Sequence, residues 1–379
     1  MRHLSVPKRQ TEEFKRLLLE NEWYAKGYRI LSDGDCTLIP ISVEAPEILP
    51  EPFAGIPIVV EDQDPPSPST WLEYLPQFLP QSIIEQYDGM WPNSQEHLGD
   101  LVRFKIDREV EKYDQQVALA KASHSKKSRL ILRDLGVKGD YRVRELVPLA
   151  ARHEGELIDA QGIESLDDVT KHELTSTKVE IRENGTKILL DPSMAYYSNR
   201  LANERQQTVV SALELKSVLG RPLNVADPYC GVGPAILQLH KENELLDIVL
   251  ANDLNPAAIL LLRERMEKIP DGWIVKTEDA LQLCNEEDMV DRFDVLLMNL
   301  PHNTLEHLPH LLPLLTKHGP RLVRGWAVVK EEDLACHDKK LNTILSSYED
   351  LNEEIKSSIR KQYNSTMVLT GFEARFGKW

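Results

Sequence analysis

The hydrophobic and polar positions divide the chain into a mixed first part and a regularly alternating second part. From "NRLANERQQTVVSALEL" onward, amphipathic segments separate most of a series of short apolar runs. The predicted strands are "LNVADPY", "DIVLANDL", "GWIVKTED", "FDVLLMNLP", "RGWAVVK" and "TMVLTGFEARF". Buried strands that alternate with helices predict a doubly wound, largely parallel sheet, and such sheets bind ligands at the carboxyl ends of their strands.

The first part of the chain predicts two further domains. Residues 1–60 are expected to form a small α/β domain, with a helix in "TEEFKRLLLENEW" and strands in "CTLIPISV" and "GIPIVV". The polar, proline-rich residues 61–70 predict a linker. Residues 71–195 are expected to form an α+β domain that ends in a hairpin turning at Asn184-Gly185, which leaves 196–379 for the alternating domain.

Composition is that of a soluble globular protein, with 41% hydrophobic and 28% charged residues. No apolar run approaches the roughly 20 residues of a membrane span, and the first residues lack the apolar core of a secretory signal. The four cysteines are scattered without a C-x-x-C pair, so we expect neither a zinc site nor a disulfide framework, and a cytoplasmic location.

Charge is unevenly distributed along the chain. The net charge of −16 argues, taken globally, against nucleic-acid binding. Residues 101–150 nevertheless hold twelve Lys/Arg against seven Asp/Glu, a local net charge of +5. This window is either a solvated helix face or a surface that contacts phosphates, and composition leaves both open.

Polar groups follow four consecutive predicted strands. In chain order they are Asp227 with Gly231 and Gly233, then Asp253, then Asp279, then Asn299. Asp253 lies about 20 residues beyond the glycines, where a carboxylate can accept hydrogen bonds from both ribose hydroxyls. Asp279 is placed to accept from an adenine amine. Each signal alone is weak, since a strand-end Asp is more often a helix N-cap, but the ordered set predicts a nucleoside-bearing cofactor.

This order of motifs resembles that of class I S-adenosylmethionine-dependent methyltransferases. The resemblance implies a Rossmann-like α/β domain with a mixed, mainly parallel sheet, S-adenosylmethionine as cofactor and no metal. The absence of a third glycine, at Ile236, agrees with a cofactor that is not a dinucleotide. The implied cofactor contacts are Asp227, Tyr229, Gly231, Gly233, Asp253, Leu254, Asp279, Ala280 and Asn299.

Stretches upstream and downstream of these motifs point to one family within this class. "GVKGDYRVREL", "AYYSNRLANER", "NLP" and the closing "IRKQYNSTMVLTGFEARF" look like the archaeal and eukaryotic type of tRNA guanine-37 N1-methyltransferase. The likeness implies catalytic roles for Glu204, Arg142 and Asn299, and substrate contacts by Tyr196, Arg200, Arg205, Pro301 and Arg144. The chain departs from the family at Ser198-Asn199-Arg200, where Ser-Pro-Arg is usual.

The implied roles agree with the chemistry of guanine. Its N1 carries a proton at neutral pH and is a poor nucleophile until a base, here Glu204, removes that proton. A guanidinium such as that of Arg142 then stabilises the negative charge that develops on O6. The structural alternatives are an i, i+4 ion pair between Glu204 and Arg200, and surface pairing of Arg142 and Arg144 with Glu145 or Asp140.

The expected function is therefore methyl transfer to N1 of guanine 37 in tRNA, by a monomer that contacts the anticodon loop and elbow of the tRNA and no membrane. Four other functions stay open at this stage. They are aminocarboxypropyl transfer by the sister family of wyosine-base synthesis, a bifunctional enzyme that also methylates a wyosine intermediate, a non-catalytic RNA-binding protein, and a small-molecule methyltransferase.

Overall fold

The computed structural model describes residues 1–64, 68–139, 141–348 and 350–379. These residues form two compact units, Met1–Gln77 and Phe78–Trp379. Part of the predicted linker, residues 65–67, lies outside the described residues, as does Asp140. The finer boundaries predicted near residues 60, 70 and 195 stay predictions.

The first unit is a four-stranded antiparallel sheet with one α-helix. Its elements are β1 (Arg2–Pro7), α1 (Thr11–Glu20), β2 (Leu31–Asp33), β3 (Cys36–Pro40) and β4 (Ile58–Val60). The strand order is β2-β3-β1-β4. Leu18 from the helix packs against Leu4, Ile39 and Phe53, so the apolar spacing that predicts the helix also supplies the core of the unit.

The second unit begins with a five-stranded sheet and a separate hairpin. The elements are α2 (Gln81–Gln86), β5 (Glu96–Leu98), β6 (Leu101–Phe104), α3 (Asp114–His124), β7 (Leu130–Lys138), β8 (Val143–His153), β9 (Glu156–Asp159), α4 (Ala160–Glu164), α5 (Asp168–Thr175), β10 (Val179–Glu183) and β11 (Thr186–Leu190). The sheet has the order β5-β6-β7-β8-β9, and β10 pairs with β11. Asn184 and Gly185 both have positive φ in the hairpin turn, as a two-residue turn with this sequence requires.

The rest of the second unit is a seven-stranded sheet covered by helices. The elements are α6 (Ala202–Leu219), β12 (Leu223–Asp227), α7 (Pro234–Lys241), β13 (Leu246–Asn252), α8 (Pro256–Met266), β14 (Trp273–Lys276), β15 (Val295–Met298), α9 (Thr304–Leu311), β16 (Arg321–Lys330), α10 (Leu334–Leu345), β17 (Ser358–Gln362) and β18 (Met367–Phe376). None of the described helices is long and apolar enough to cross a membrane.

The strand order of this sheet is β14-β13-β12-β15-β16-β18-β17. All neighbours from β14 to β16 are parallel, and β18 is antiparallel to both β16 and β17. The predicted mixed, mainly parallel sheet is confirmed. The chain leaves β12 toward β13 and later returns to β15 on its other side, so the switch point lies at the carboxyl ends of β12 and β15.

Candidate active site

A cavity of about 490 Å³ lies at this switch point. It is bounded by the loops after β12, β13, β14 and β15, by the start of α6, by the turn between β7 and β8 and by β17. The predicted site residues that line it are Arg142, Tyr196, Arg205, Tyr229, Gly231, Asp253, Leu254, Asp279, Ala280, Asn299 and Pro301. Its size is that of a pocket for a nucleoside-sized ligand.

The two glycines of the first turn have different roles. Both have positive φ, +55° at Gly231 and +77° at Gly233. Gly231 lines the cavity, and its N–H donates to Asp253 Oδ2 at 2.8 Å. A Cβ on Gly233 would lie 2.5 Å from Leu262 Cδ1, and Gly233 is not among the lining residues. Gly233 therefore lets α7 pack closely on α8, whereas Gly231 faces the ligand side.

Asp253 is oriented by backbone groups on both of its carboxylate oxygens. Besides the bond from Gly231, the N–H of Asn255 donates to Oδ1 at 2.9 Å. Burial raises the pKa of Asp253, and these two bonds oppose that rise. Each oxygen keeps a further lone pair, so the carboxylate can still accept from a pair of hydroxyls in the cavity.

Asn252 links the loops that carry the cavity, although the sequence patterns did not mark it. The side chain is fully buried and donates to the carbonyls of Pro228 at 3.1 Å and Glu278 at 3.0 Å. It also accepts from the N–H of Glu278 at 3.0 Å. These bonds hold the loops after β12 and β14 on either side of β13. The sequence signal that could have indicated this role is a polar residue, Asn252, at the end of an otherwise apolar strand.

Asp227 lies beneath the cavity wall and does not line it. The side chain is 1% exposed and accepts from the N–H of Tyr229 at 3.3 Å. Burial, with a smaller contribution from Asp253, raises its pKa to about 7. Asp227 supports the turn that precedes Gly231, and the direct cofactor contact expected of it stays a prediction.

Asp227→Asn is expected to change the pH dependence of stability. The folded pKa of about 7 lies above the ordinary 3.8, so the stability contribution of the carboxyl is complete below pH 4 and is lost as pH rises to 7. The full loss corresponds to about 4 kcal/mol at 1.36 kcal/mol per pKa unit. Relative to the wild type, the variant should therefore gain free energy of unfolding between pH 4 and pH 8, measured by urea denaturation. Asp271→Asn, at an exposed position, is the control; a difference independent of pH would contradict the assignment.

Asp279 acts as the N-cap that its position at a strand end suggests. Its carboxylate accepts from the N–H of Leu281 at 3.0 Å at the start of a 3-10 helix, Ala280–Asn285. The side chain is exposed and lines the cavity, so a second acceptor position stays available. Tyr229, which also lines the cavity, forms a 2.6 Å hydrogen bond between its hydroxyl and His307 Nδ1, and this bond fixes its ring.

The Asn-Leu-Pro loop after β15 is anchored by hydrogen bonds to its backbone carbonyls. The Leu300 carbonyl accepts from the Thr304 hydroxyl at 2.8 Å, and the Pro301 carbonyl accepts from the Val328 N–H at 2.8 Å. Asn299 precedes these anchored residues, and its side chain is half-buried at the cavity. A rigid loop therefore presents the amide of Asn299 to the cavity.

Arg142 reaches the cavity from the turn between β7 and β8. Its φ is +53°, and the side chain contacts two aromatic residues. Nη2 donates to the Tyr363 hydroxyl at 3.1 Å, and the guanidinium lies 5.5 Å from the ring centre of Tyr196. Tyr363 also bonds His302 Nε2 at 3.2 Å. Surface pairing with Glu145 is not observed, and pairing with Asp140 lies outside the described residues.

Arg144 and Arg200 line a second, adjoining cavity instead of the first. Arg144 forms a 2.7 Å ion pair with the nearly buried carboxylate of Asp134. Glu145 pairs with Lys138 and not with Arg144. Arg200 is exposed on the 3-10 turn before α6. Neither residue is among those that line the first cavity, and the substrate contacts expected of them stay predictions.

Glu204 lies on the first turn of α6, behind the lining residues. Its Oε2 accepts from Trp326 Nε1 at 3.1 Å and pairs with Arg360 Nε at 3.2 Å. The ion-pair partner is therefore Arg360 on β17, and the alternative pair with Arg200 is wrong. Among the described residues, Oε1 has no hydrogen-bond partner.

Arg205 is part of a buried network under the cavity. Its Nε donates to Glu183 at 2.6 Å, and Nη2 contacts both Glu183 and the Ser198 carbonyl. Glu183 also accepts from the Tyr197 hydroxyl and from Gln238 Nε2. Arg205 lines the cavity, but its guanidinium is engaged in joining the β10–β11 hairpin to α6 and α7.

Several residues that line the first cavity were given no individual role by the sequence, although they lie in or beside stretches that resemble the family. They are Lys361 and Tyr363 at the end of β17, His302 and His307 after β15, and Tyr141 beside Arg142. The strand β17 itself was not predicted, because its burial pattern is mostly exposed and carries no apolar alternation.

Two family models match the chain. Residues 179–346 match the TRM5/TYW2 methyltransferase domain, and residues 4–49 match the tRNA methyltransferase 5 N-terminal domain. Residues 179–346 are therefore a domain of the TRM5/TYW2 methyltransferase type. The protein is an enzyme of the methyltransferase class, and the resemblance seen in the motifs is confirmed.

Individual relatives agree with this assignment. The chain is 25% identical over 320 residues to tRNA (guanine(37)-N(1))-methyltransferase Trm5b of Pyrococcus abyssi, covering 83% of this chain and 81% of the relative. The crystal structure of wild-type Trm5b from Pyrococcus abyssi superposes with a TM-score of 0.67 at 21% identity, with full coverage of both chains. A complex of aTrm5 with tRNALeu gives a TM-score of 0.64 at 23% identity, with 99% coverage of each chain.

S-adenosylmethionine, the cofactor of this methyltransferase, fits the residues of the first cavity. Gly231 leaves open space where a side chain would stand, since the nearest atom is 3.8 Å from the place that a Cβ would occupy. Asp253 supplies acceptors for ribose hydroxyls. Leu254 is 54% exposed at the cavity, an apolar surface suited to a purine ring, and Asp279 is part of the same lining.

Proposed function

We propose that the protein transfers the methyl group of S-adenosylmethionine to N1 of guanine 37 in tRNA. The observation that carries the proposal is the joining, in one cavity, of the cofactor-side residues Gly231 and Asp253 with Arg142 and Asn299. The names of the relatives and the match of residues 4–49 to a Trm5 N-terminal domain support tRNA as the substrate.

Asn299 and Arg142 would position the guanine. The amide oxygen of Asn299, on its anchored loop, would accept from a planar nitrogen of the base, and the guanidinium of Arg142 would stabilise the charge on O6. When bound, S-adenosylmethionine supplies an electrophilic methyl group on a sulfonium. The base must leave the helical stack to reach this depth, which unstacking of the anticodon loop permits.

Glu204 would remove the proton from guanine N1. Trp326 and Arg360 hold Oε2, so Oε1 is the oxygen available to take the proton. Its chain neighbours Leu201 and Arg205 both line the cavity, which supports this role. A carboxylate near N1 serves as general base, and in this role Glu204 Oε1 would turn toward the base.

The first unit, Met1–Gln77, would contact the tRNA elbow, and the active-site unit would contact the anticodon loop. The likeness of the chain to aTrm5, which forms a complex with tRNALeu, supports binding of a whole tRNA. Because the chain is acidic overall, phosphate contacts must concentrate on local basic surfaces, and binding should weaken steeply with salt. We propose a cytoplasmic monomer.

The position of an isotopic label separates the proposed reaction from that of the sister family, which the TRM5/TYW2 domain model also includes. S-adenosylmethionine labelled in the methyl group should label tRNA, and the same cofactor labelled in the aminobutyrate portion should not. The reverse result would assign aminocarboxypropyl transfer. Label from neither position would favour a non-catalytic RNA-binding protein, and methyl label on a wyosine intermediate as well would identify a bifunctional enzyme.

Tyr363→Phe is expected to lower kcat about tenfold while leaving the Kd for S-adenosylmethionine unchanged. The substitution removes the hydroxyl that accepts from Arg142 Nη2, and a hydrogen bond to a charged group contributes about 1.5 kcal/mol or more. Single-turnover methylation and cofactor titration measure the two quantities. Tyr87→Phe, which removes a hydroxyl that accepts from Lys112 outside the cavity, is the matched control. Equal rates for the two variants would remove Tyr363 from the positioning of Arg142.

A further inference from the structure

A second cavity of about 730 Å³ adjoins the proposed active site. The two cavities share a wall made of Arg142, Tyr196, Tyr197, Ser198, Lys361 and Tyr363. The far side of the second cavity is formed by β5 and β6 and by the end of β7. A ligand that enters the first cavity past this shared wall therefore has the second cavity beside it.

The lining of the second cavity is strongly basic. Arg103, Lys105, Arg142, Arg144, Arg200 and Lys361 face two carboxylates, Glu96 and Asp134. Both carboxylates are already neutralised, because Glu96 pairs with Arg103 and Asp134 pairs with Arg144. Within the part of the chain that the structure describes, Lys105, Arg142, Arg200 and Lys361 have no acidic ion-pair partner.

Lys361 lies at the junction of the two cavities. It is half-buried, and burial together with the positive charges of Arg200 and Arg205 lowers its pKa, while Glu96 opposes this. Holding an ammonium near two guanidinium groups is unfavourable unless an anion is present between them. The arrangement therefore suits an anion bound between these three side chains.

We propose that the second cavity binds the nucleotide joined to the target guanine, with the connecting phosphodiester held by Lys361 and Arg200. This subsite rests on the proposed function, since it assigns a part of the same RNA substrate. A flipped base turns about its own backbone, so its flanking phosphates stay at the mouth of the pocket, where the shared wall lies. Tyr196, 42% exposed on that wall, offers an aromatic face for stacking of the neighbouring base.

The test combines a protein substitution with an RNA substitution. The substrates are anticodon stem-loop RNAs with guanine at position 37, either unmodified or carrying a neutral methylphosphonate on the 5′ or the 3′ side of that guanine. The proteins are the wild type, Lys361→Met and the control Lys356→Met, which alters an exposed lysine outside both cavities. Dissociation constants are measured across a salt series, with single-turnover methylation in parallel.

Lys361→Met should weaken binding of the unmodified RNA about tenfold and lower the salt slope by about one. One of the two methylphosphonates should weaken binding to the wild type at least as much. With that RNA, Lys361→Met should lose less than tenfold further, because Lys361 and the charge of the phosphate act on each other while Arg200 still faces the same phosphate. The control should behave as the wild type. If Lys361→Met does not fold, Arg200→Met at an exposed position tests the same phosphate.

Two results would overturn the subsite. If the combined loss of affinity equals the product of the losses from Lys361→Met and from the methylphosphonate, the lysine and the phosphate act independently. An unchanged salt slope in Lys361→Met would show that Lys361 contacts no phosphate. Failure of the wild type to methylate a full-length tRNA that carries guanine 37, when it binds that tRNA, would overturn the proposed function and the subsite with it. Methylation with multiplying losses would overturn the subsite alone.

Discussion

Glu204→Gln is expected to lower kcat for tRNA methylation by about 10² to 10⁴, the range in which a general base contributes. The glutamine keeps the shape of the side chain and an oxygen that can accept from Trp326 Nε1, so the fold and cofactor binding should be preserved. The loss follows from the absence of a group that can take the proton of guanine N1. Single-turnover kinetics with saturating tRNA and cofactor measure it.

The pH profile separates a base from a structural residue. Without Glu204, the proton must leave to solvent, so the rate of the variant should rise with pH more steeply than that of the wild type. Glu214→Gln, on the same helix, breaks an exposed ion pair with Arg375 and is the matched control, with a kcat expected within twofold of wild type. A Glu204→Gln variant with the wild-type rate would remove Glu204 from the base role.

Arg205→Ala is expected to lower the free energy of unfolding by about 3–5 kcal/mol, because it leaves Glu183 charged and buried without its ion-pair partner. Both side chains are almost fully buried, and Glu183 is the common acceptor for Arg205, Tyr197 and Gln238. The loss should also disturb Tyr197 and Ser198 on the shared cavity wall. Urea denaturation followed by circular dichroism measures the effect.

The double variant Glu183→Gln/Arg205→Ala is the control for this prediction. Removing the charge of Glu183 should recover part of the stability, since the penalty comes from the uncompensated carboxylate more than from the loss of attraction. A loss below about 1 kcal/mol in the single variant would show that water or another cation replaces Arg205. A large loss without recovery in the double variant would show that the penalty does not come from the charge of Glu183.

The main sheet was predictable because its strands are short, apolar and separated by amphipathic helices. The cavity at its carboxyl edge followed from the same pattern, and Asp253, Asp279 and Asn299 do lie together there. The strand β17 escaped prediction because its side chains are largely exposed, although it brings Lys361 to the cavity. Periodicity detects a strand only where one face is buried.

The individual roles of charged residues were less predictable, because they depend on partners far away in sequence. Glu204 pairs with Arg360, not with its helical neighbour Arg200, and Arg205 pairs with Glu183 across a hairpin. Asp227 heads the same motif as Gly231 but is turned into the core. Spacing along a chain fixes local neighbours only, and these contacts are set by tertiary packing.

The most direct test of the central claim is to incubate the protein with S-adenosylmethionine and two tRNA transcripts that differ only in carrying guanine or adenine at position 37. The products are digested to nucleosides and identified by mass spectrometry. The proposed function predicts N1-methylguanosine from the guanine-37 transcript and no methylated nucleoside from the adenine-37 transcript. Equal methylation of the two transcripts, or a methyl group on another atom or position, would contradict it.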